Sequence, residues 1–498
     1  MGAFESTRPY PRQPWTVRSI IAVGCLLSAF LANFFVLGFK PMSIQNIDET
    51  AWIYGSYYYY LAFQKKDLFS DDWQVRDAID HPPVGKFFVG AALSLVGYEV
   101  PSVDFKHRWY ERTDLNEHEV LVEEAKQLPP LVLPAGRLMS TLCFALSGLI
   151  AASLSHRVFG SPWAGVCSLA VMLLSPLIRE LSVNVMAEGP FYLLLSLTVW
   201  LSVSVVERWR QNRPVLSALV LLGVVAGLLT DTKINGFTSV PLSAASLVLG
   251  AMLLTPTAET FLKRSLVATM IVAIISTTTI IYANPSLWRE PIAYLNNVWN
   301  YRLLNLEGQL IFVYWEAFPT LGIKISAVLA AVFREHDPFF PICVLPLGLF
   351  VGLLLLGSKD SNRTAGIVLL IHTMGWFASN FLTFQINGPR YFLATSFFVF
   401  VIAGGGFLEI LLGLKSIAPS IRQKLLLSVV SIWLMAGIPY FIYHNNTRRY
   451  LDSHPEAVRQ AIERKEKLIH DSSDSNDETY ERTIPSSNSR NPENATVP

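Results

Sequence analysis

Asn46–Lys86 reads NIDETAWIYGSYYYYLAFQKKDLFSDDWQVRDAIDHPPVGK. It follows the first long apolar run and gathers carboxylates, aromatic rings and a Pro-Pro pair more densely than any other polar segment before the C-terminal tail. Asp48 and Glu49 stand roughly ten residues beyond a stretch long enough to cross a bilayer, which places them at a membrane surface and not in its centre. Paired acids at such a position point to chemistry carried out at the ends of membrane helices.

The composition agrees with that setting. The chain has 498 residues, of which 52% are hydrophobic and 15% charged, and its mean hydropathy is +0.39. This is too apolar for a soluble chain of this length and defines an all-α polytopic membrane protein. The net charge of +1 gives no sign of nucleic-acid binding. Cys25, Cys143, Cys167 and Cys343 fall in or beside apolar runs and read as small hydrophobes, with no disulfide or metal-ligand spacing.

The first apolar run, Ser19–Phe39, follows Arg8, Arg12 and Arg18 and lacks the short core and small-residue cleavage site of a removed signal, so an uncleaved first helix is expected. Further runs near 132–156, 162–178, 189–206, 215–230, 236–254, 264–283, 338–357, 364–384, 391–413 and 423–443 give about eleven transmembrane helices. Alternation from a cytoplasmic N-terminus (1–17) puts Arg157, Glu207–Arg213, Lys263–Arg264, Lys359–Arg363 and Lys415–Lys424 in short cytoplasmic turns, as the positive-inside rule requires.

The two long polar loops, 41–131 and 284–337, then lie outside the cytoplasm. Val84–Val96 and the stretch ending at Arg334 are too short to span and read as interfacial helices. Trp52, Tyr54 and Tyr57–Tyr60 suit anchoring at the same surface. A transmembrane catalytic domain is expected over 18–445, and the Ser-, Asn- and acid-rich tail over 446–498 reads as disordered.

Four motifs carry a resemblance. They are Asp48-Glu49; Asp80-His81-Pro82-Pro83-Val84-Gly85-Lys86; Arg137 at the head of the second span; and Lys233-Ile234-Asn235-Gly236. Together they resemble the dolichyl-phosphate-mannose protein mannosyltransferases, glycosyltransferase family 39 of the GT-C fold, over roughly residues 15–445. Glu188, the Asn284-Pro285-Ser286-Leu287-Trp288 stretch with Arg302 and Gln309, and Gly388-Pro389-Arg390-Tyr391-Phe392 are weaker likenesses. Eukaryotic members insert a large lumenal β-trefoil domain where this chain has about fifty residues, so it looks like a compact, bacterial-type member.

The resemblance implies transfer of mannose or another hexose or pentose from a polyprenyl-phosphate sugar to a hydroxyl of a protein, lipid or envelope glycan. It implies a plasma membrane with the site facing the periplasm or exterior, or an endoplasmic reticulum membrane in a eukaryote. The lipid-linked sugar is a substrate; the resemblance implies no definite cofactor and leaves a divalent metal open.

Physically, such a transfer needs a base for the acceptor's proton on the sugar face opposite the leaving phosphate. The phosphate leaves as a stable anion, so cations replace a general acid. Asp48 is the expected base and Glu49 its orienting neighbour or a sugar contact. Arg137, Lys233, Arg390 and Lys86 are the expected phosphate ligands, and Asp80, His81, Glu188, Arg302 and Gln309 are expected near the sugar or acceptor. Glu188 pairing with Arg179 is a plain structural alternative. A transporter or flippase of a lipid-linked sugar is the competing function, since intramembrane ionisable residues also line transport paths. It is disfavoured by the absence of an internal repeat. No W-W-D-Y-G-like element of oligosaccharyltransferases occurs.

Overall fold

The computed structural model describes residues 13–39, 48–74, 78–79, 81–100, 128–255, 257–298, 300, 324–325, 344–356, 362–383 and 392–416. Among them every regular element is helical. Seven helices are long and apolar enough to cross a membrane, or up to eight if one bent pair is a single span, and two shorter apolar helices accompany them. The expected run at 423–443, the tail and most of 284–337 lie outside the described residues.

Helix α1 (Val17–Asn33) starts from a capping box in which the Thr16 hydroxyl accepts from the Ser19 amide and the Ser19 hydroxyl accepts from the Thr16 amide, satisfying two donors that would otherwise enter the bilayer bare. It continues as a π-helical turn to Gly38. The acidic motif opens helix α2 (Asp48–Gly55), and the His-Pro-Pro motif starts helix α3 (Pro83–Ser94). A proline at the first helical position loses no hydrogen bond and fixes φ for the turn, which is why α3 begins there.

Helices α4 (Val132–Phe159), α5 (Pro162–Leu174), α6 (Pro176–Ser182) and α7 (Glu188–Arg210) follow. The α5–α6 pair bends by 65° at Pro176, which cannot donate to the preceding turn. The Ser175 hydroxyl takes up the Ile178 amide at 3.4 Å. The single expected span at 162–178 is therefore a broken one.

Helix α7 is the most enclosed of the seven, with 83% of its apolar window inside the protein. Its hydroxyls turn back on their own helix: Thr198 donates to the Leu194 carbonyl, Ser202 to Thr198 and Ser204 to Trp200. Polar side chains are thus satisfied where no water competes.

Around α7 stand α8 (Leu216–Thr230), α9 (Ser239–Leu254) and α10 (Ala258–Ala283), then α11 (Val344–Leu356), α12 (Arg363–Thr383) and α13 (Leu393–Ser416). Close crossings use small residues, as expected where hydrocarbon solvates side chains as well as a partner helix does. Gly406 of α13 packs directly on the Gly348 carbonyl of α11, an approach that any side chain would prevent.

Helix ends sort into two faces. At one, the Gln13 amide donates to the Gly160 carbonyl, Arg157 approaches Glu207 at 3.7 Å, and Asn362 joins Arg210 to Glu207 at 2.9 and 3.0 Å. The other face carries α2, α3, the heads of α4 and α7, and the segments after α8 and α10.

Candidate functional site

Glu49, in the first turn of α2, is fully buried beneath that second face. Its Oε1 accepts from Arg137 Nε at 2.9 Å and its Oε2 from Arg137 Nη2 at 2.8 Å. The Val185 amide, in the linker before α7, donates to Oε1 at 2.9 Å. The Arg137 Nη1 group reaches the Gly38 carbonyl at 3.4 Å. A planar fork matched to both carboxylate oxygens is the strongest form such a pair takes. It ties α2, α4, the end of the first span and the α7 linker together.

Asp48 precedes Glu49 as the first residue of α2 and one turn ahead of Trp52, so whatever holds Glu49 also holds the Asp48 backbone. Trp52 is buried against Gly85, where an added Cβ would lie 3.0 Å from the indole, 3.1 Å from Ala187 Cβ and 3.3 Å from the Thr232 carbonyl. The glycine of the His-Pro-Pro motif is thus the point at which α2, α3, the head of α7 and the segment after α8 meet. His81 is exposed, its ring edge-on to Trp52 at 5.3 Å. The Val84 amide donates to the Asp231 carbonyl at 2.9 Å.

Lys233 and Glu188 form the second ion pair, 2.7 Å apart, with the Lys side chain 24% and the Glu 3% exposed. The alternative partner for Glu188, Arg179, instead donates to Asn33 Oδ1 at 2.9 Å. The Glu188–Arg179 alternative does not form, because Arg179 lies in α6 and turns toward the first span. Lys86 is buried, with its ammonium 4.4 Å from the Tyr58 ring centre. Asp80, Arg302, Gln309 and Arg390, all expected at the site, lie outside the described residues, as do interactions of the Asp48 side chain.

The segment after α10 reaches this group through the contact of Asn284 with Asp231 and packs on the 69–74 loop. Gln74 Nε2 donates to the Ser286 carbonyl at 3.3 Å, Asp71 pairs with Arg289, and Phe69 packs on Trp288 at 5.7 Å. Asp231, Asn284 and Tyr294 are buried beneath that contact. The sequence analysis does not single out Asp231; the one signal for it is an acid directly after an apolar run and two residues before Lys233. Among the described residues no cluster of His, Cys, Asp and Glu is able to hold a metal ion.

Residues 133–282 match the family described as dolichyl-phosphate-mannose-protein mannosyltransferase; Asp48 and Glu49 precede the matched range. Among solved structures the chain is similar to the oligosaccharyltransferase AglB of Archaeoglobus fulgidus in complex with an inhibitory peptide and a dolichol-phosphate, with 11% identity, a TM-score of 0.51 and coverage of 86% of this chain and 56% of that one. It is also similar to the S. cerevisiae protein O-mannosyltransferase Pmt1-Pmt2 complex bound to the sugar donor, with 15% identity, a TM-score of 0.41 and coverage of 56% and 35%. The chain therefore spans roughly half the length of the archaeal structure and a third of the yeast one. No curated protein sequence matches it.

The class is thereby defined: an integral membrane protein with the fold of the GT-C glycosyltransferases. Within that fold, the likeness in sequence to the mannosyltransferase family is confined to residues 133–282, from α4 to α10.

Proposed function

We propose that this protein transfers a sugar from a polyprenyl-phosphate donor to a hydroxyl acceptor on the non-cytoplasmic side of its membrane. The observation that carries the reading is the bidentate Glu49–Arg137 pair, which fixes the first turn of α2 beside the Gly85 junction and the Lys233–Glu188 pair. A transporter needs its central groups to change partners between two states. A buried fork of this kind favours one rigid geometry, as a catalyst requires.

In the reaction, Asp48 accepts the proton of the acceptor hydroxyl as its oxygen attacks the anomeric carbon. The bond from that carbon to the phosphate oxygen breaks, and polyprenyl phosphate departs as an anion. A single displacement inverts the anomeric configuration. Lys233 is the described cation best placed to meet the phosphate, being partly exposed at a helix end. Arg137 has its fork committed to Glu49, so its role is to position α2 and not to bind phosphate directly. Arg390 remains a proposed second phosphate ligand. Mannose is the favoured sugar, on the family description alone.

The basic residues Arg157, Arg208, Arg210, Arg213, Lys263 and Arg264 sit at or near the face opposite the site, and positive charge collects on the cytoplasmic side. The test is incubation of purified protein with radiolabelled polyprenyl-phosphate mannose and mixed hydroxyl acceptors. Release of polyprenyl phosphate with labelled acceptor is expected. Movement of intact donor across a vesicle membrane without release would instead establish transport.

A further inference from the structure

Asp231 follows the last residue of α8 and is 3% exposed. It binds two separate parts of the chain. Its carbonyl accepts the Val84 amide at 2.9 Å, holding the start of α3. Its Oδ1 accepts from Asn284 Nδ2 at 3.5 Å, and the same Asn284 amide group donates to the Tyr294 hydroxyl at 2.8 Å. Asn284 Oδ1 in turn accepts the Ser286 amide at 3.2 Å, opening the short turn whose carbonyl receives Gln74. Among the described residues Asp231 Oδ2 has no hydrogen-bond partner.

A carboxyl in this position is costly. Burial pushes Asp231 well above the ordinary carboxylate range, and the bond from Asn284 offsets only part of that. An asparagine would offer Asn284 the same acceptor without a charge to desolvate. Purely structural demands therefore call for an acceptor oxygen at this point, and the links made by that oxygen are what the site depends on.

We infer that Asp231 is a positioning residue that holds the segment from Asn284 to Tyr294 beside the turn of Val84, Gly85 and Lys86, and so makes that segment a cover for the site. The kinetic part of this inference rests on the glycosyl-transfer reading; the structural part does not. Loss of the acceptor oxygen frees Asn284 and Tyr294 together, the cover loosens, and substrate is held less well, while the groups that perform the transfer stay in place.

The experiment compares Asp231→Asn, Asp231→Leu, Asn284→Leu and the double Leu variant as full-length protein in lipid nanodiscs. Amide exchange over 285–298 and initial rates against polyprenyl-phosphate mannose are measured. In each Leu variant exchange of that segment should quicken by about tenfold or more, the donor KM should rise by about tenfold and kcat should change by less than about threefold, and the double variant should be no worse than either single one. Asp231→Asn should behave as the parent in both. Unchanged exchange in Asn284→Leu, or an Asp231→Asn variant as damaged as Asp231→Leu, would overturn the inference. If Asp231→Leu fails to fold, Asn284→Leu carries the same test. A parent protein without transferase activity would defeat the transfer reading, and the exchange data would still decide the role of Asp231.

Discussion

Arg137 and Glu49, 88 positions apart in the chain, meet as a two-bond fork of 2.9 and 2.8 Å with neither side chain exposed. Removing one partner of such a buried pair leaves an uncompensated charge, at a cost of about 3–5 kcal/mol. Arg137→Ala and Glu49→Ala should each lower thermal stability sharply and abolish transfer. Replacing both with leucine should recover much of the stability but none of the activity, because α2 loses its fixed register. Thermal unfolding followed with an activity assay checks this, and an active double-leucine variant would show that the pair is mere packing.

Gly85 sets a second limit. A methyl group there would press on Trp52, Ala187 and the Thr232 carbonyl at 3.0–3.3 Å, and overpacking of this kind costs about 1–3 kcal/mol. Gly85→Val should cut activity more than it cuts stability, since the strain falls at the junction that supports Asp48. Equal activity in parent and Gly85→Val, measured at a temperature where both are folded, would disconnect this junction from the site.

Lys233 is the proposed ligand of the donor phosphate. Lys233→Ala should raise the donor KM by about 10- to 100-fold, in keeping with the roughly 1.5–3 kcal/mol of a hydrogen bond to a charged group. Lys233→Arg should restore part of the affinity. A donor titration in which both variants match the parent would place the phosphate elsewhere.

Asp231 makes stability depend on pH. Its carboxyl is raised above the ordinary range by burial, so the folded protein favours the protonated form. The stabilisation is complete below the unfolded value and is lost as pH rises through the folded one. Asp231→Asn should therefore be more stable than the parent at pH 8, with the difference shrinking as pH falls toward 4. Melting temperatures of the two proteins across that range provide the check, and a gap that widens on acidification would contradict the assignment.

Much of this arrangement was legible in the sequence, and the exceptions have physical causes. The apolar runs that the structure describes found their helices because a bilayer imposes length and hydropathy together. The break at Ser175–Pro176 is visible only as a proline inside an otherwise uninterrupted run. Asp48, Glu49, Gly85, Arg137, Glu188 and Lys233 stood out as charges or turn residues at the ends of such runs, and those of them that the structure describes do gather at one face. Their pairing did not stand out. Arg137 is expected to meet phosphate and Glu188 to meet a sugar or, alternatively, Arg179, because residue spacing carries no information on which helix ends become neighbours. Asp231 was missed for the same reason, since its importance lies in contacts with Val84 and Asn284 that only the packed bundle creates.

The most direct test of the account is the Asp48→Asn variant with labelled polyprenyl-phosphate mannose and a competent hydroxyl acceptor. The amide keeps the size of the side chain but cannot take the acceptor's proton, and loss of a general base costs about 10²–10⁴-fold in rate. The account predicts that loss in kcat with donor binding retained, and an inverted anomeric configuration in the parent's product. Unimpaired turnover in Asp48→Asn, or a product of retained configuration, would contradict it.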